Sequence, residues 1–308
     1  MRRRTVRYGG PKKSPSKTTL SLPKSIQVES LTLEGRGVAR VDGKALFISG
    51  ALPGELVSAT MTKTGKRFDE AVVNEIEIPS TDRITPSCAF AEECGGCDLQ
   101  HLDPDRAVEM KRDQILSTLK RQSGLEPQVT DTPIISKKKL NYRRSARVGI
   151  NQRDNGELII GFRRSESNKL IDIPSCPVLT DRCNHFLSAL RHSLNGLDKL
   201  KTLTHISVSD GDNLLAVEIR AKKRPSDDIM NALTSVARTE AINLRVSFND
   251  QTITLHTIEE PEFINRRRNI RYQFDTNDFI QVNASVNEAL IECAIEWLEP
   301  KQEDRILD

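Results

Sequence analysis

Four cysteines are the residues whose type and spacing point most directly to chemistry. Cys88, Cys94 and Cys97 follow the spacing C-x5-C-x2-C, and Cys176 comes much later, in the stretch IPSCPVL. Four thiolates supply the number of soft ligands that a tetrahedral zinc ion or a [4Fe–4S] cluster takes. The sequence therefore predicts a four-thiolate metal site, and the spacing alone leaves zinc and iron–sulfur both open.

The residues around these cysteines add detail to the predicted site. Gly95 and Gly96 are expected to let the loop turn tightly and to bring backbone N–H groups toward sulfur. His101 follows the loop directly and is interpreted as structural. Cys183 and Cys293 fall on predicted helices, where a cysteine is usually a small buried hydrophobe rather than a nucleophile.

The composition limits the class of protein and its cellular location. The formal net charge of +3 is mild and by itself says little about partners. No apolar segment follows the basic start as in a signal peptide, and no apolar run approaches the roughly 20 residues that span a bilayer. We therefore expect a cytoplasmic monomer that does not bind membranes. Thiols stay reduced in that compartment, so six cysteines indicate metal binding or catalysis more than disulfides.

Positive charge is concentrated in two segments that contain no acidic residue. The first, residues 1–17, lies within a polar stretch that is predicted to be a disordered basic tail over residues 1–20. That tail is either a solvated terminus or an arm that lies on phosphates. The second segment spans residues 132–153, and its basic side chains are expected to contact RNA phosphates. They are Lys137, Lys138, Lys139, Arg143, Arg144, Arg147 and Arg153.

The elements that must position the cysteines fall into three predicted domains. Residues 21–80 alternate apolar and polar positions between glycines and prolines, which predicts several short strands and a small OB-like all-β barrel. The basic loop KTGKR at 63–67 lies between two of these strands, where such a barrel would meet a nucleic-acid backbone. A purely structural barrel is the alternative for this domain.

Residues 81–275 are predicted to be a central α+β domain that carries the cysteines. A helix is predicted over 104–123, with Pro104 in its first turn and Gly124 as its stop. Two further helices are predicted within 178–197 and 225–240, among six strands. In residues 276–308, an amphipathic helix is expected to bury Val286, Leu290, Ala294 and Trp297 or Leu298, and RILD is expected to begin a strand. These residues lie in VNASVNEALIECAIEWL and EDRILD.

Several of these stretches together resemble a known enzyme family. They are CAFAEECGGCDLQH, NYRRSARVGI, GFRRSESNKLIDIPSCPVL, DFIQVNASVNEALIECAIEWL and EDRILD, in this order. The sequence is similar to the iron–sulfur RNA (uracil-5-)-methyltransferases, and its leading β domain resembles the TRAM module. The resemblance implies an RNA substrate, 23S rRNA, and a [4Fe–4S] cluster on Cys88, Cys94, Cys97 and Cys176.

The same resemblance implies roles for the segment FIQVN. Gln281 is expected to contact S-adenosylmethionine, with Phe279 and Asn283 near the cofactor and the target base. Residues 276–308 would begin an α/β Rossmann-like methyltransferase domain, and helix 104–123 would pack on that catalytic domain. In this chemistry a cysteine thiolate adds to uracil C6, C5 takes the methyl group, and a base removes the C5 proton.

The sequence departs from the family pattern after EDRILD. The family continues with a glycine-rich cofactor loop, the catalytic cysteine and the base, and the chain ends at Asp308. Neither Cys183 nor Cys293 lies in the family's nucleophile motif, so we expect an amino-terminal fragment of the enzyme that is inactive alone. The alternatives are a non-catalytic RNA-binding module with a structural iron–sulfur or zinc site, or a related enzyme that acts on another rRNA or tRNA uridine.

Overall fold

The computed structural model describes residues 22–128 and 130–307. The chain divides into two compact units, Met1–Thr81 and Asp82–Asp308. The predicted disordered tail at 1–20 lies outside the described residues. Within the described part of the chain, no helix is long and apolar enough to cross a membrane.

Unit 1 is a six-stranded sheet in the order β1-β5-β6-β4-β3-β2. Neighbouring strands are antiparallel except β4 and β6, which are parallel. The strands are β1 (Ile26–Gln27), β2 (Ser30–Leu31), β3 (Gly37–Val41), β4 (Lys44–Ser49), β5 (Leu56–Thr64) and β6 (Phe68–Ile78). The predicted strands of this domain are therefore confirmed.

The first two strands close the sheet of unit 1 on itself. β1 pairs with β5, β2 pairs with β3, and only two residues separate β1 from β2. The amide of the first, Val28, donates to Glu55 O at 2.9 Å, and the amide of the second, Glu29, donates to Val38 O at 2.7 Å. One short segment thus joins both edges of the sheet, which leaves a small barrel around apolar side chains. The core includes Ile26, Val28, Ala39, Leu46, Ile48 and Val57.

Unit 2 is built on a seven-stranded sheet in the order β13-β12-β11-β10-β7-β8-β9. All neighbours are antiparallel except β11 and β12. The strands are β7 (Ser145–Gln152), β8 (Leu158–Arg163), β9 (Leu170–Asp172), β10 (Leu203–Asp210), β11 (Leu215–Ala221), β12 (Asn243–Phe248) and β13 (Gln251–His256). A short 3-10 turn at Leu200–Thr202 leads into β10.

Two helices cover one face of this sheet. They are α2 (Asp181–Leu194) and α3 (Asp227–Thr239), and both bury an apolar stripe. Thr180 caps α2 by accepting from the amide of Cys183. The mixed order of strands and helices confirms the predicted α+β character, whereas the division of unit 2 at residue 275 stays a prediction.

The cysteine-bearing loop leads into α1 (Pro104–Ser123), which has the predicted bounds. Asp103 accepts from the first-turn amides, Pro104 starts the helix, and Gly124 ends it in a left-handed conformation. Ala107 is the one buried residue of this helix, and Ile115 is 58% exposed. The expected packing of this helix on a catalytic domain stays a prediction.

The carboxyl-terminal elements differ from the expectation in two ways. A hairpin of β14 (Glu262–Asn265) and β15 (Ile270–Gln273) precedes helix α4 (Ala284–Leu298). The predicted helix is confirmed, but its predicted buried side is wrong. None of its residues is buried, and Leu290, Trp297 and Leu298 are half-exposed or more, because no other described element covers them.

The expected strand at RILD is also absent from the described residues 299–307. Ile306 is 68% exposed and Leu307 is 99% exposed. A strand needs a neighbour for its backbone N–H and C=O groups. No neighbouring strand reaches this stretch in the described part of the chain, so its apolar residues alone do not make one.

Gly161 sets the spacing between β8 and β9. A Cβ added there would lie 2.0 Å from Ile171 O and 2.9 Å from Ile173 N. We predict that Gly161→Ala lowers the free energy of unfolding of unit 2 by about 1–3 kcal/mol, because overpacking displaces β9. Urea unfolding followed by circular dichroism measures the change.

Gly156→Asn is the matched control for this prediction. Gly156 has φ +87 and no atom within 4 Å of an added Cβ, and asparagine tolerates the left-handed conformation. We expect little change in unfolding from this control. Equal unfolding curves for Gly161→Ala and Gly156→Asn would contradict the steric role of Gly161.

Candidate functional site

The loop that carries three cysteines is docked on the end of β8. The amide of Gly95 donates to Arg163 O at 2.9 Å, and the amide of Ser165 donates to Glu93 O at 2.8 Å. A Cβ on Gly95 would lie 3.2 Å from Ser165 Cα, so this glycine permits a close approach of two backbones. The expected turn at Gly95 and Gly96 is confirmed, and it is made without a positive φ at either glycine.

The fourth cysteine is fixed by the first turn of α2. Asn184 accepts from the amide of Cys176 at 2.9 Å through Oδ1 and donates to Cys176 O at 2.9 Å through Nδ2. The amide of Leu179 donates to Cys176 O at 3.1 Å, and the amides of Val178 and Leu179 lower the pKa of the Cys176 thiol. The backbone N–H and C=O of Cys176 are therefore both fixed by Asn184, which limits the movement of the thiol.

The structure brings the four predicted ligands within electrostatic reach of one another. Burial raises the pKa of Cys94, the Gly96 amide lowers it, and the charges of Cys97, Cys176 and Cys88 raise it further. Burial likewise raises the pKa of Cys176, its two backbone amides lower it, and Cys97 and Cys88 raise it. All four thiols are free and partly buried.

The positions of these thiols do not form a single-ion site as they stand. Among residues 22–128 and 130–307, no three His, Cys, Asp or Glu side chains come together as a metal-ion site. The donor set itself, four soft sulfur atoms with backbone amides directed at two of them, fits the ligand chemistry of an iron–sulfur cluster. Cys183, in contrast, is fully buried and its pKa is raised to about 12, so its predicted structural role is confirmed.

The segment FIQVN lies across the face of the sheet opposite α2 and α3. Ile280 is 6% exposed and packs with Leu214, Ala216 and Phe274. Its neighbours point outward, since Phe279 is 86% exposed and Gln281 is exposed. One buried side chain thus anchors the segment, and two side chains predicted to face the cofactor and base remain accessible.

Arg144 holds this segment to the start of β7. Its Nε donates to Gln281 O at 2.9 Å, and its amide donates to Val282 O at 3.0 Å. Its guanidinium lies 4.8 Å from the centroid of the Phe263 ring. Burial lowers the pKa of Arg144, while the charges of Asp212, Asp210 and Glu288 raise it by less. Arg144 is therefore not part of an exposed basic surface, because its side chain is 7% exposed and holds this segment in place.

The residues just before β7 connect the cysteine site to FIQVN. The amide of Arg143 donates to Val178 O at 2.8 Å, beside Cys176, and Arg143 also forms a bridge with Asn283. Burial raises the pKa of Tyr142, and the nearby charges of Cys97 and Cys176 contribute to the rise, which places this ring beside the thiols. The segment 141–144 is therefore shared by both predicted sites.

The other basic residues of the second run are used in different ways. Lys139 pairs with Asp105 at 2.5 Å, Arg153 pairs with Glu157 at 2.8 Å, and Arg147 lies against His205. Lys137 and Lys138 are exposed. The run is thus not one uniform phosphate-binding surface.

The basic loop of unit 1 is better suited to phosphate. Lys44 donates to Gly65 O and pairs with Asp69, both at 2.6 Å, and Asp69 accepts from the Gly65 amide at 3.1 Å. These contacts fix the loop between β5 and β6. Lys66 and Arg67 are exposed and have no ion pair among the described residues. Both cations therefore point from a fixed loop into solvent.

Comparison with known proteins assigns the chain to a family. The TRAM domain model matches residues 24–73, within unit 1. The 23S rRNA (uracil(1939)-C(5))-methyltransferase RlmD of Shewanella woodyi is 35% identical over 298 residues, which cover 96% of this chain and 67% of that protein. The chain belongs to the 23S rRNA (uracil-C5)-methyltransferase family. The predicted family resemblance is thereby confirmed.

Two further comparisons set the extent of the likeness. The enzyme of the same name from Alteromonas naphthalenivorans is 31% identical over 92% of this chain and 60% of that protein. The chain thus spans about two thirds or less of the length of these methyltransferases. A crystal structure of Pyrococcus abyssi tRNA (uracil-54, C5)-methyltransferase with S-adenosyl-L-homocysteine superposes with a TM-score of 0.64 at 20% identity, over 89% of this chain and 65% of that chain, and shows a shared fold.

Sequence reasoning missed two residues that position the two predicted sites. Arg144 was counted with the basic run, although it directly precedes an alternating strand and is followed by inward-facing Ala146 and Val148. Asn184 lies one turn into α2, and no spacing rule linked it to Cys176. Arg144 stands directly before a buried strand, and this position could have indicated that its side chain is buried.

We predict that Arg144→Met lowers the free energy of unfolding by about 1–3 kcal/mol, because Gln281 O loses its buried donor. Arg147→Met is the matched control, since Arg147 lies on the same strand and is exposed. Urea unfolding followed by circular dichroism distinguishes the two variants. An equal effect of both substitutions would show that the Arg144 contacts do not stabilise the fold.

Proposed function

We propose that this chain forms the RNA-facing and cofactor-facing part of an enzyme that methylates uracil C5 in 23S rRNA. The observation that carries the proposal is the 35% identity to an enzyme of that name over 96% of the chain, which includes both units. The tRNA enzyme of Pyrococcus abyssi shares the fold at 20% identity, so 23S rRNA is the favoured substrate. The cytoplasmic location and the monomeric state expected from the sequence stay predictions.

Unit 1 is proposed to bind the RNA backbone. A TRAM match and a fixed loop with two exposed cations support this role, because phosphate contacts from a small barrel give affinity without reading base identity. The choice of uridine therefore depends on other parts of the enzyme.

The FIQVN segment is proposed to face the cofactor and the target base. S-adenosylmethionine supplies the methyl group when it is bound. Gln281 is exposed, and Arg144 and Ile280 hold its backbone in place. Its side-chain amide can therefore bind and orient a ligand with little loss of backbone entropy. Phe279 presents an exposed aromatic face on the same segment, which suits stacking of a base that has left its helix.

The covalent step is not assigned to the cysteines described above. Addition of a thiolate to uracil C6 requires an accessible thiol with a lowered or ordinary pKa. Cys183 is buried with a pKa raised to about 12, four other cysteines form the proposed cluster site, and Cys293 lies on α4 outside the family's nucleophile motif. The described residues of this chain therefore bind and orient the reactants in our proposal.

We further propose that Cys88, Cys94, Cys97 and Cys176 hold a [4Fe–4S] cluster. The mutual charge interactions of the thiols and the amides directed at Cys94 and Cys176 support this ligand set. A cluster would connect the loop docked on β8 with the loop before α2. Since the segment 141–144 lies beside the second loop, the cluster would also support the position of Gln281.

A metal analysis of cysteine variants tests the cluster. In protein purified without oxygen, we expect about four irons and four acid-labile sulfides per chain. Cys94→Ser should lose most of this iron, because one of four ligands is removed. Cys293→Ser is the control, since Cys293 lies on α4 outside the set, and it should keep its iron. One zinc ion per chain without labile sulfide, or full iron in Cys94→Ser, would rule out this assignment.

Salt dependence tests the RNA-binding loop. Phosphate neutralisation releases counterions, so the affinity for single-stranded RNA should fall with salt with a slope of about −0.7 per contact. Replacing Lys66 and Arg67 by alanine should make the slope less steep by about 1.4. Replacing Arg153 and Lys201, which pair with Glu157 and Asp154, is the control. A slope that both double variants share with the unchanged protein would exclude this loop from the RNA interface.

A further inference from the structure

A small pocket lies between the hairpin β14–β15 and the start of α4. Its volume is about 150 Å³, less than the roughly 300 Å³ of the smallest typical ligand pockets. Arg144, Asn265, Ala284 and Ser285 contribute to its walls. A group of a few non-hydrogen atoms fills a space of this size.

Two buried side chains in the pocket wall have donors without partners. The guanidinium of Arg144 makes one hydrogen bond among the described residues, from Nε to Gln281 O, which leaves both Nη atoms without one. Asn265 is 4% exposed, and its Oδ1 accepts from the Arg268 amide at 3.1 Å. That bond identifies the oxygen, and the Nδ2 of Asn265 then has no partner in the described structure. A buried donor such as Asn265 Nδ2 costs free energy unless a ligand accepts from it.

The first turn of α4 adds one backbone donor. Asn283 caps the helix and accepts from the amide of Val286. The amide of Ala284 belongs to the bridge between Arg143 and Asn283, whereas the amide of Ser285 has no acceptor among the described residues. The helix has 15 residues, so its dipole also favours negative charge at this end.

The acidic residues of the pocket do not satisfy these donors. Asp212 accepts from Arg266 Nη2 and from the Ile264 amide, both at 2.7 Å, and Glu288 accepts from the Arg266 amide at 3.2 Å. Their charges raise the pKa of Arg144 by less than burial lowers it. None of these hydrogen bonds involves the Nη atoms of Arg144 or the Nδ2 of Asn265.

We propose that this pocket binds a single oxyanion group through Arg144, Asn265 and the amino-terminal turn of α4. Arg144, Asn265 and the Ser285 amide offer donors here, and a phosphodiester or carboxylate presents only acceptors. The pocket includes residues just after Gln281 and Asn283, so an anion here would belong to a ligand that also touches FIQVN. The two sources with this chemistry are an RNA phosphodiester and the carboxylate of S-adenosylmethionine.

A titration with inorganic phosphate tests the site without RNA or cofactor. The ionic strength is held constant with sodium chloride, and the side-chain NMR signals of Asn265 Nδ2 and Arg144 Nε are followed in the 308-residue chain. We expect saturable shifts of both signals in the unchanged protein. Asn265→Asp keeps the acceptor for the Arg268 amide and replaces the free donor, so it should weaken phosphate binding at least about tenfold.

Asn155→Asp is the matched control for charge. Asn155 is exposed and also accepts a backbone amide through Oδ1, from Glu157 at 3.1 Å, so this substitution adds the same charge outside the pocket. It should leave phosphate binding unchanged. A wild-type protein without a saturable shift, or equal phosphate affinity in the two variants, would overturn the proposal.

Competition identifies the source of the oxyanion. This step rests on the proposed function, whereas the phosphate titration does not, so the two can fail separately. Displacement of phosphate by a single-stranded RNA oligonucleotide would identify a phosphodiester, and displacement by S-adenosylmethionine alone would identify its carboxylate. Displacement by neither would mean an adventitious ion only and would contradict the proposal.

Discussion

The short segment 141–144 is the part of unit 2 on which both predicted sites depend. On one side, its backbone bonds to residues that follow Cys176, including Arg143 N to Val178 O at 2.8 Å. On the other side, Arg144 bonds to Gln281 O and Val282 O. Four residues thus link the loop of the fourth thiol to the segment that faces the cofactor. A change in the cysteine site would be transmitted to Gln281 through hydrogen bonds and a buried guanidinium.

This arrangement gives the proposed cluster a structural purpose. The cysteine loop has few buried apolar residues of its own, and it is attached to β8 by a close approach at Gly95. Four metal–thiolate bonds would fix that loop and the loop of Cys176 more strongly than these contacts alone. The role needs no change of redox state, because the cluster would act by holding backbone segments in place.

Much of the fold could be predicted from the sequence because local signals and tertiary structure agree. Helix 104–123 has a proline at its start and a glycine at its stop, and the structure has the same bounds. The alternation in residues 25–79 likewise predicted the barrel strands. The four cysteines were predicted as a set because three of them fall within ten residues, and in the structure the other three thiols act on the pKa of Cys94. Their role as ligands of one cluster stays a prediction.

The errors arose where a residue's role depends on distant neighbours. Arg144 looked like one cation among seven, but its partners are 137 residues away in sequence at Gln281. The apolar residues of α4 predicted a buried side, yet periodicity cannot show whether another element covers a helix. The sequence could not show that the donors of Asn265 and of the α4 amino terminus lack acceptors, because a missing partner is visible only in three dimensions.

Amide hydrogen exchange of Arg143 and Arg144 tests most directly whether the segment 141–144 couples the two sites. Both amides are bonded, one toward the Cys176 loop and the other toward FIQVN, so both should exchange slowly in the unchanged protein. In Cys176→Ser, we predict that both amides lose protection together. Loss of protection at Arg143 with full protection at Arg144 would show that the two sites are independent and would contradict this account.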